Sequence, residues 1–148
     1  MGIEVRWAKD SDLPWVVEEL RNFSEFHDSK YDLFLNEENT EAVMKITMKD
    51  HVLMVAEKDN TLMGFISGYF VPHPFNPELQ TLCEQFWWVP EIHRKTRAGL
   101  LLLNNFIKFG KEAAQWVIMT IEEKSPVNEN SLIKKGFRLH ERSYLMEV

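Results

Sequence analysis

Apolar and polar positions alternate through IEVRWA (residues 3–8), the period-two pattern of a strand with one buried face. From Lys9 the period lengthens. In KDSDLPWVVEELRNFSEF, Trp15, Val16, Leu20 and Phe23 form a helical stripe, with Asp10, Ser11 or Asp12 as cap and Pro14 in the first turn. A second helix is expected over about residues 37–49, opened by Glu37, Glu38 and Glu41 and carrying Val43, Met44, Ile46 and Met48. HVLMVAEKD and TLMGFISGYFV are rich in strand formers and separated by Asp59-Asn60, a tight-turn pair, which predicts an antiparallel hairpin. Three prolines in PHPFNPE (residues 72–78) predict an irregular loop, after which LCEQFWWV (residues 82–89) resumes as a strand. The leucine run beginning at Leu100 opens a helix to about Ala114, and WVIMTIEE (residues 116–123) predicts a strand. SPVNENSLIKKG reads as a short helix capped by Ser125, with Pro126 in its first position and Gly136 at its C-terminal end; FRLHERSYLMEV supplies a last strand. The order β-α-α-β-β-β-α-β-α-β predicts one mixed α/β (α+β) domain over residues 1–148, with a largely antiparallel sheet of six to seven strands flanked by about four helices.

Composition narrows the partners. A chain of 148 residues with 45% hydrophobic content is long enough for one real core. Its net charge of -6 counts against a general nucleic-acid binder and fits a basic substrate. No apolar run approaches the roughly 18–20 residues of a membrane span, and the first residues lack signal architecture, so a cytoplasmic protein without a membrane partner is expected. Arg6 stands where a myristoylation site wants Ser or Thr. The single Cys83 excludes an intrachain disulfide, and His27, His51, His73, His93 and His140 show no metal-ligand spacing; no metal is expected.

Against this acidic background, VPEIHRKTRAGLLLL (residues 89–103) places Arg94, Lys95 and Arg97 in the turn between a strand and a helix. Such a turn exposes unpaired backbone N–H groups at the positive end of the helix dipole, which makes it an anion site. Gly99 permits close backbone approach, and Arg94 and Arg97 bring forked donors suited to phosphate oxygens. A solvated basic turn between two core elements explains the same residues.

The element order and this turn resemble the GCN5-related N-acetyltransferase (GNAT) superfamily. Its cofactor motif, Q/R-x-x-G-x-G/A after the fourth strand, is similar to Arg94-Lys95-Thr96-Arg97-Ala98-Gly99, with Arg97 in place of the middle glycine. WWVPEIHR resembles the usual approach to that motif, and LIKKGF (residues 132–137) the family's C-terminal signature. The resemblance implies acetyl-CoA as co-substrate. The pyrophosphate would lie on the backbone of residues 94–99, with Arg97 as an added clamp, and the pantetheine would run along the end of strand 82–89. Trp87, Trp88, Val89, Arg94, Lys95, Thr96, Arg97, Ala98, Gly99 and Asn128 are the cofactor-binding residues it implies.

Acetyl transfer to an amine needs a base, donors for the oxyanion and an acid for the leaving thiolate. The family often takes its base from a carboxylate on the fourth strand, and Glu84 occupies that place; half buried near Phe86 and Trp88, it would have a raised pKa, whereas an ordinary solvent-facing strand carboxylate explains the same residue. The family's acid is a Tyr four residues before the Gly of Gly-Phe, where this chain has Leu132. Tyr144 on the last strand is the candidate substitute within reach of the cleft, a packing residue being the plainer reading; otherwise water serves as the acid or the chain no longer catalyses, and Ser131 and Asn128 fit helix-surface or capping roles. Cys83 fits a buried structural thiol better than an acyl-carrying nucleophile.

The resemblance places acceptor specificity in residues 10–49 and 72–80. Glu18, Glu19, Glu25, Asp28, Asp32, Glu37, Glu38 and Glu41 cluster in the first of these, where they would attract an amine on a small molecule or a protein; solvated helix faces account for them as well. Two functions follow: an acetyl-CoA-dependent N-acetyltransferase acting by direct attack in a ternary complex, or a GNAT-fold CoA-binding or regulatory module without turnover. A homodimer through the apolar SYLMEV edge is a further expectation.

Overall fold

The computed structural model describes residues 2–27 and 36–148. Strand β1 (Glu4–Trp7) leads through a 3-10 turn (Asp10–Asp12) into helix α1 (Leu13–His27), and helix α2 (Glu37–Asp50) follows. Strands β2 (Val52–Lys58), β3 (Thr61–His73) and β4 (Asn76–Trp88) come next, then a second 3-10 turn (Glu91–His93). Helix α3 (Ala98–Ala113), strand β5 (Trp116–Ile118) and helix α4 (Glu129–Lys134) complete the order. Among the described residues the sheet has five strands in the order β1-β2-β3-β4-β5, antiparallel except for the parallel β4–β5 pair. No helix among them is long and apolar enough to cross a membrane.

The apolar alternation sorts the core onto two faces. Val52, Met54, Ala56 and Ile66 pack with Leu102 and Phe106 of α3, whereas Leu53, Val55 and Phe65 pack with Val16 and Leu20 of α1 and Met44 of α2. Strand β4 changes phase within this scheme. Leu82 belongs to the α3 side, yet so do the odd-numbered Trp87 and Val89, while Phe86 and Trp88 face α1. The register explains the flip: Gly68 pairs with Glu84 and Ser67 with Phe86, leaving Gln85 as the extra residue of a β-bulge.

Four expectations are corrected. The PHPFNPE segment is not an irregular loop, because β3 continues to His73 and β4 starts at Asn76 around a turn at Pro74-Phe75. Pro72 and Pro77 are tolerated because β2 pairs with β3 only as far as Gly68, and β5 pairs with β4 only over Thr81–Cys83. Their N–H sides need no ladder partner in this two-stranded extension. The fourth helix starts three residues later than Ser125 as cap would imply; the Asn128 side chain caps it, accepting from Asn130 N at 2.9 Å. Its end is as read, with Gly136 at φ +101° and both hydrogen bonds of a Schellman turn, Gly136 N to Ile133 O and Phe137 N to Leu132 O.

The last strand is absent: residues 137–148 take no strand conformation, and Leu139, Tyr144, Leu145 and Met146 are exposed. Its absence leaves five strands among the described residues instead of six to seven, and strand β5 stops at Ile118 instead of Glu123. Alternation measures a tendency to extend, but a strand also needs an edge to pair with, and a three-residue β5 offers little. The Asp59-Asn60 turn holds as expected, both residues having positive φ.

One ion cluster ties the N-terminal elements together. Arg6 donates to Asp12 (2.7 and 3.1 Å) and to Glu57 (2.8 and 3.1 Å), joining β1, the start of α1 and β2. Burial acts to raise the Asp12 pKa, but the Arg6 hydrogen bonds and the Lys9 N–H outweigh it and hold the carboxyl below its ordinary range. A depressed folded pKa gives stability that is present above pH ~4 and lost as pH falls through the folded value. Arg6→Ala is expected to cost about 2 kcal/mol, below the cost of a fully buried pair because the guanidinium is 26% exposed. Urea unfolding at pH 7 and pH 3 checks it: the gap between wild type and variant should shrink at the lower pH.

Candidate active site

The β4–β5 ladder ends at Cys83 and Ile118. Beyond that point the chains part, and the Thr120 N–H turns to the Glu84 carboxylate at 3.2 Å instead of continuing the ladder. A cleft of about 330 Å³ opens between the end of β4, the start of α3 and the segment from Ser125 to Lys135. A smaller cavity of about 40 Å³ surrounds Glu84, and the two share His27, Trp87, Ser125 and Val127 in their walls.

The turn before α3 supplies donors to the cleft region. Thr96 Oγ1 donates to His93 O at 2.6 Å and accepts from Ala98 N at 3.2 Å. The Arg94 and Thr96 N–H groups bond to Glu91 O and His93 O. Among the described residues, the N–H groups of Arg97, Gly99 and Leu100 have no acceptor, as the first turn of a helix requires, and neither has that of Lys95 in the turn before it. A Cβ built on Gly99 would meet Val89 Cγ2 at 3.5 Å, an ordinary contact, so nothing in the protein itself demands glycine there.

Arg94 lines the cleft but turns inward. Its Nε donates to Val89 O at 2.9 Å, and its guanidinium lies 4.7 Å from the Phe26 ring centroid and 4.8 Å from that of Trp88. The cation therefore braces the end of β4 against α1. Trp87, Trp88, Val89, Thr96, Gly99 and Asn128 also line the cleft; Lys95 and Arg97 are exposed and Ala98 is buried, all three outside its wall. Trp87 Nε1 donates to Gly99 O at 3.2 Å, fixing the strand to the helix start.

Glu84 is 8% exposed. Burial pushes its pKa up to about 8, against the Thr120 N–H, which lowers it, and with a smaller rise from the Glu122 charge. At pH 7 it is mostly protonated. The His27 pKa is lowered, first by burial and then by the Arg94 and Lys124 charges, with Glu122 opposing, so the ring is neutral. His27 is 7% exposed, and its Nδ1 has no hydrogen-bond partner among the described residues. Burial raises the Cys83 thiol, which keeps it from being a nucleophile at neutral pH. Tyr144 is 89% exposed and lines neither cavity, whereas Leu132 is buried.

The acidic residues of the first two helices do not form the wall. Glu18, Glu25, Glu37, Glu38 and Glu41 are exposed away from both cavities, and Asp28 and Asp32 lie outside the described residues. Glu19 is buried and accepts from Trp88 Nε1 at 2.9 Å and Asn22 Nδ2 at 3.1 Å. The carboxylates that do line the small cavity are Glu84 and Glu122. Sequence reasoning missed His27, Glu122 and Lys135. His27 and Glu122 carry no spacing signal; Lys135 stands inside LIKKGF and lines the cleft with its Nζ 2.6 Å from Asn104 Oδ1. No group of three or more His, Cys, Asp or Glu among the described residues could hold a metal ion.

Residues 12–132 match the model of the acetyltransferase (GNAT) family. No curated protein matches the chain by sequence. Solved structures with the same fold include a transcriptional regulator from Bacillus halodurans C-125, 17% identical with TM-score 0.79 over 99% of this chain and 100% of that one. An acetyltransferase from Trypanosoma brucei is 20% identical with TM-score 0.75 over 99% and 100% of the two chains. A predicted acetyltransferase with acetyl-CoA from Clostridium acetobutylicum is 13% identical with TM-score 0.74 over 99% and 96%.

Proposed function

The chain belongs to the acetyltransferase (GNAT) family, and we propose that it moves the acetyl group of acetyl-CoA to a primary amine by direct attack in a ternary complex, with Glu84 as the base. The observation that carries this reading is a buried carboxyl with a pKa of about 8 in a cavity that shares a wall with the cleft beside the phosphate turn.

The residues fit acetyl-CoA. Four N–H groups without acceptors, at Lys95, Arg97, Gly99 and Leu100, suit a pyrophosphate at the positive end of α3. The exposed Arg97 and Lys95 add charge from the solvent side, and Lys135 adds it from within the cleft. The free edge of β4 past Glu84 suits the amide groups of pantetheine, while Trp87 walls both cavities. Bound there, acetyl-CoA supplies the thioester.

Glu84 takes the proton of the incoming ammonium, leaving a neutral amine able to attack the thioester carbonyl. Its raised pKa places proton uptake near the working pH, close to where a base transfers protons best. Leu132 has no proton to give and Tyr144 lies outside the cleft, so water protonates the departing sulfur. That arrangement favours one second reading, a CoA-binding module without turnover.

Calorimetry with acetyl-CoA and S-acetylpantetheine, paired with a CoA-release assay on simple primary amines, separates the readings. Acetyl-CoA is expected to bind at least about 100-fold more tightly than S-acetylpantetheine, and Arg97→Ala to reduce that advantage about tenfold. Equal affinity for the two compounds would remove the phosphate site. Tight acetyl-CoA binding with no amine acetylated would leave the binding module.

A further inference from the structure

Two adjacent tryptophans hold the turn of residues 94–99 from opposite faces of the sheet. Trp87 packs on the α3 side, and its Nε1 donates to Gly99 O at 3.2 Å. Trp88 packs on the α1 side, and its ring takes the Arg94 guanidinium at 4.8 Å from the centroid. The Trp88 N–H donates to Glu19 Oε2 at 2.9 Å, while Asn22 Nδ2 donates to the other carboxylate oxygen at 3.1 Å. Glu19 and Trp88 are both buried, and Glu19 lines neither cavity. One indole thus has a carboxylate at its N–H edge and a guanidinium over its face. A carboxylate drawing on the N–H leaves the ring richer in electrons, which strengthens its hold on the cation.

The guanidinium in turn anchors the chain around it. Its Nε bond to Val89 O ties the turn to the end of β4, and Phe26, in the last turn of α1, covers it at 4.7 Å from the ring centroid. The turn has little else to fix it. After Arg94, the Thr96 N–H reaches His93 O at 3.1 Å and the Ala98 N–H reaches Thr96 Oγ1 at 3.2 Å, both at the upper end of the usual range. The place of the unpaired N–H groups that follow therefore depends on side-chain anchors.

We propose that Arg94 is a positioning residue for the anion turn and not a ligand of the phosphates. Glu19, through the indole of Trp88, holds the guanidinium, and the guanidinium sets where the unpaired N–H groups of Lys95, Arg97, Gly99 and Leu100 lie. Affinity for a polyphosphate cofactor then depends on an α1 residue that touches no ligand. The identity of that cofactor rests on the acetyltransferase reading; the positioning of the turn does not.

The test reads amide hydrogen exchange and, by calorimetry, the factor by which acetyl-CoA binds more tightly than S-acetylpantetheine. It compares Arg94→Lys, Glu19→Gln, their double variant and Arg97→Ala with the wild type. Lys keeps the charge but brings neither a planar face to stack nor an Nε donor for Val89 O. Gln keeps an acceptor for Trp88 and loses the charge. Arg94→Lys is expected to speed exchange at Thr96, Ala98 and Leu101 about tenfold, with Val55 in β2 unchanged, and to lower the acetyl-CoA advantage about tenfold. Glu19→Gln should do both about threefold, and the double variant should lose no more than Arg94→Lys alone, because Glu19 acts through Arg94. Arg97→Ala should lower the advantage while exchange in the turn stays as in the wild type.

The sign in Glu19→Gln is decisive. Removing a negative charge strengthens anion binding if charge alone matters, so tighter acetyl-CoA binding in that variant overturns the proposal. An undiminished advantage in Arg94→Lys overturns it too, as do losses that multiply in the double variant. Exchange at Val55 rising as much as at Thr96 would make the effect one of global stability and also overturn it. If the wild type ignores acetyl-CoA, the acetyltransferase reading fails and exchange decides alone: acceleration confined to the turn supports the positioning role, and unchanged exchange ends it.

Discussion

Glu84→Gln is expected to lower kcat by about 10²–10³ while leaving acetyl-CoA affinity nearly unchanged. Gln is isosteric and still accepts the Thr120 N–H, so the cavity keeps its shape and loses only its ionisable carboxyl. In the wild type the rate should climb with pH and level off above about 8, where Glu84 is ionised; the variant's residual rate should lack that step. Stability moves in the opposite sense. The folded carboxyl holds its proton up to about 8, whereas the unfolded one releases it near the ordinary glutamate value of 4.5. The folded state thus binds more protons across that window, and wild-type stability falls as pH rises through it. Glu84→Gln removes the slope and should be the more stable protein at pH 8 by roughly a few kcal/mol. A wild-type pH–rate profile flat from 6 to 9, or full activity in the variant, would remove Glu84 from the chemistry.

The largest expected loss of stability comes from Gly68→Ala. A Cβ there would lie 2.7 Å from Phe106 Cζ and 2.8 Å from the Cys83 carbonyl oxygen. Phe106 is fully buried between α3 and the sheet, so it has nowhere to retreat. Strand β3 would have to move from α3, from β4, or from both. The expected cost is about 3 kcal/mol, or a drop in Tm of about 10 °C. Because Gly68 pairs with Glu84 at the edge of the bulge, the displacement also reaches the proposed base, and activity should fall in molecules that remain folded. Phe106→Leu makes room for the new methyl, so the double variant should lose less than the sum of the singles. Equal stability of Gly68→Ala and wild type in urea would show that α3 stands farther from the sheet than described.

Much of the architecture is local chemistry and therefore legible. Asp59-Asn60 takes the positive φ that Asn and Asp tolerate, Gly136 closes its helix through a conformation that suits glycine, and the leucine run from Leu100 has one apolar face that only a core can cover. The turn at residues 94–99 was readable because strand, turn and helix start are contiguous, and unpaired N–H groups follow from that order alone. Glu84 was readable as a strand carboxylate among aromatics.

What the sequence could not reveal depended on distant partners. Whether residues 137–148 pair as a strand depends on the length of β5's edge, which no pattern within the segment records. Pro72 and Pro77 looked like breakers because a sequence does not show which strand edges lack neighbours. Arg94 was readable as a basic residue of the turn, but not that Phe26 and Trp88, far apart in the chain, flank its guanidinium. His27 and Glu122 meet Glu84 only because β5 parts from β4 after Ile118 and α1 lies over the gap. The chain's own periodicity and turn chemistry determined most of the elements and the strand–turn–helix order around residues 94–99. Tertiary packing alone decided which side chains share a cavity, because burial and charge act through space and a carboxyl's pKa is set by neighbours the sequence does not place beside it.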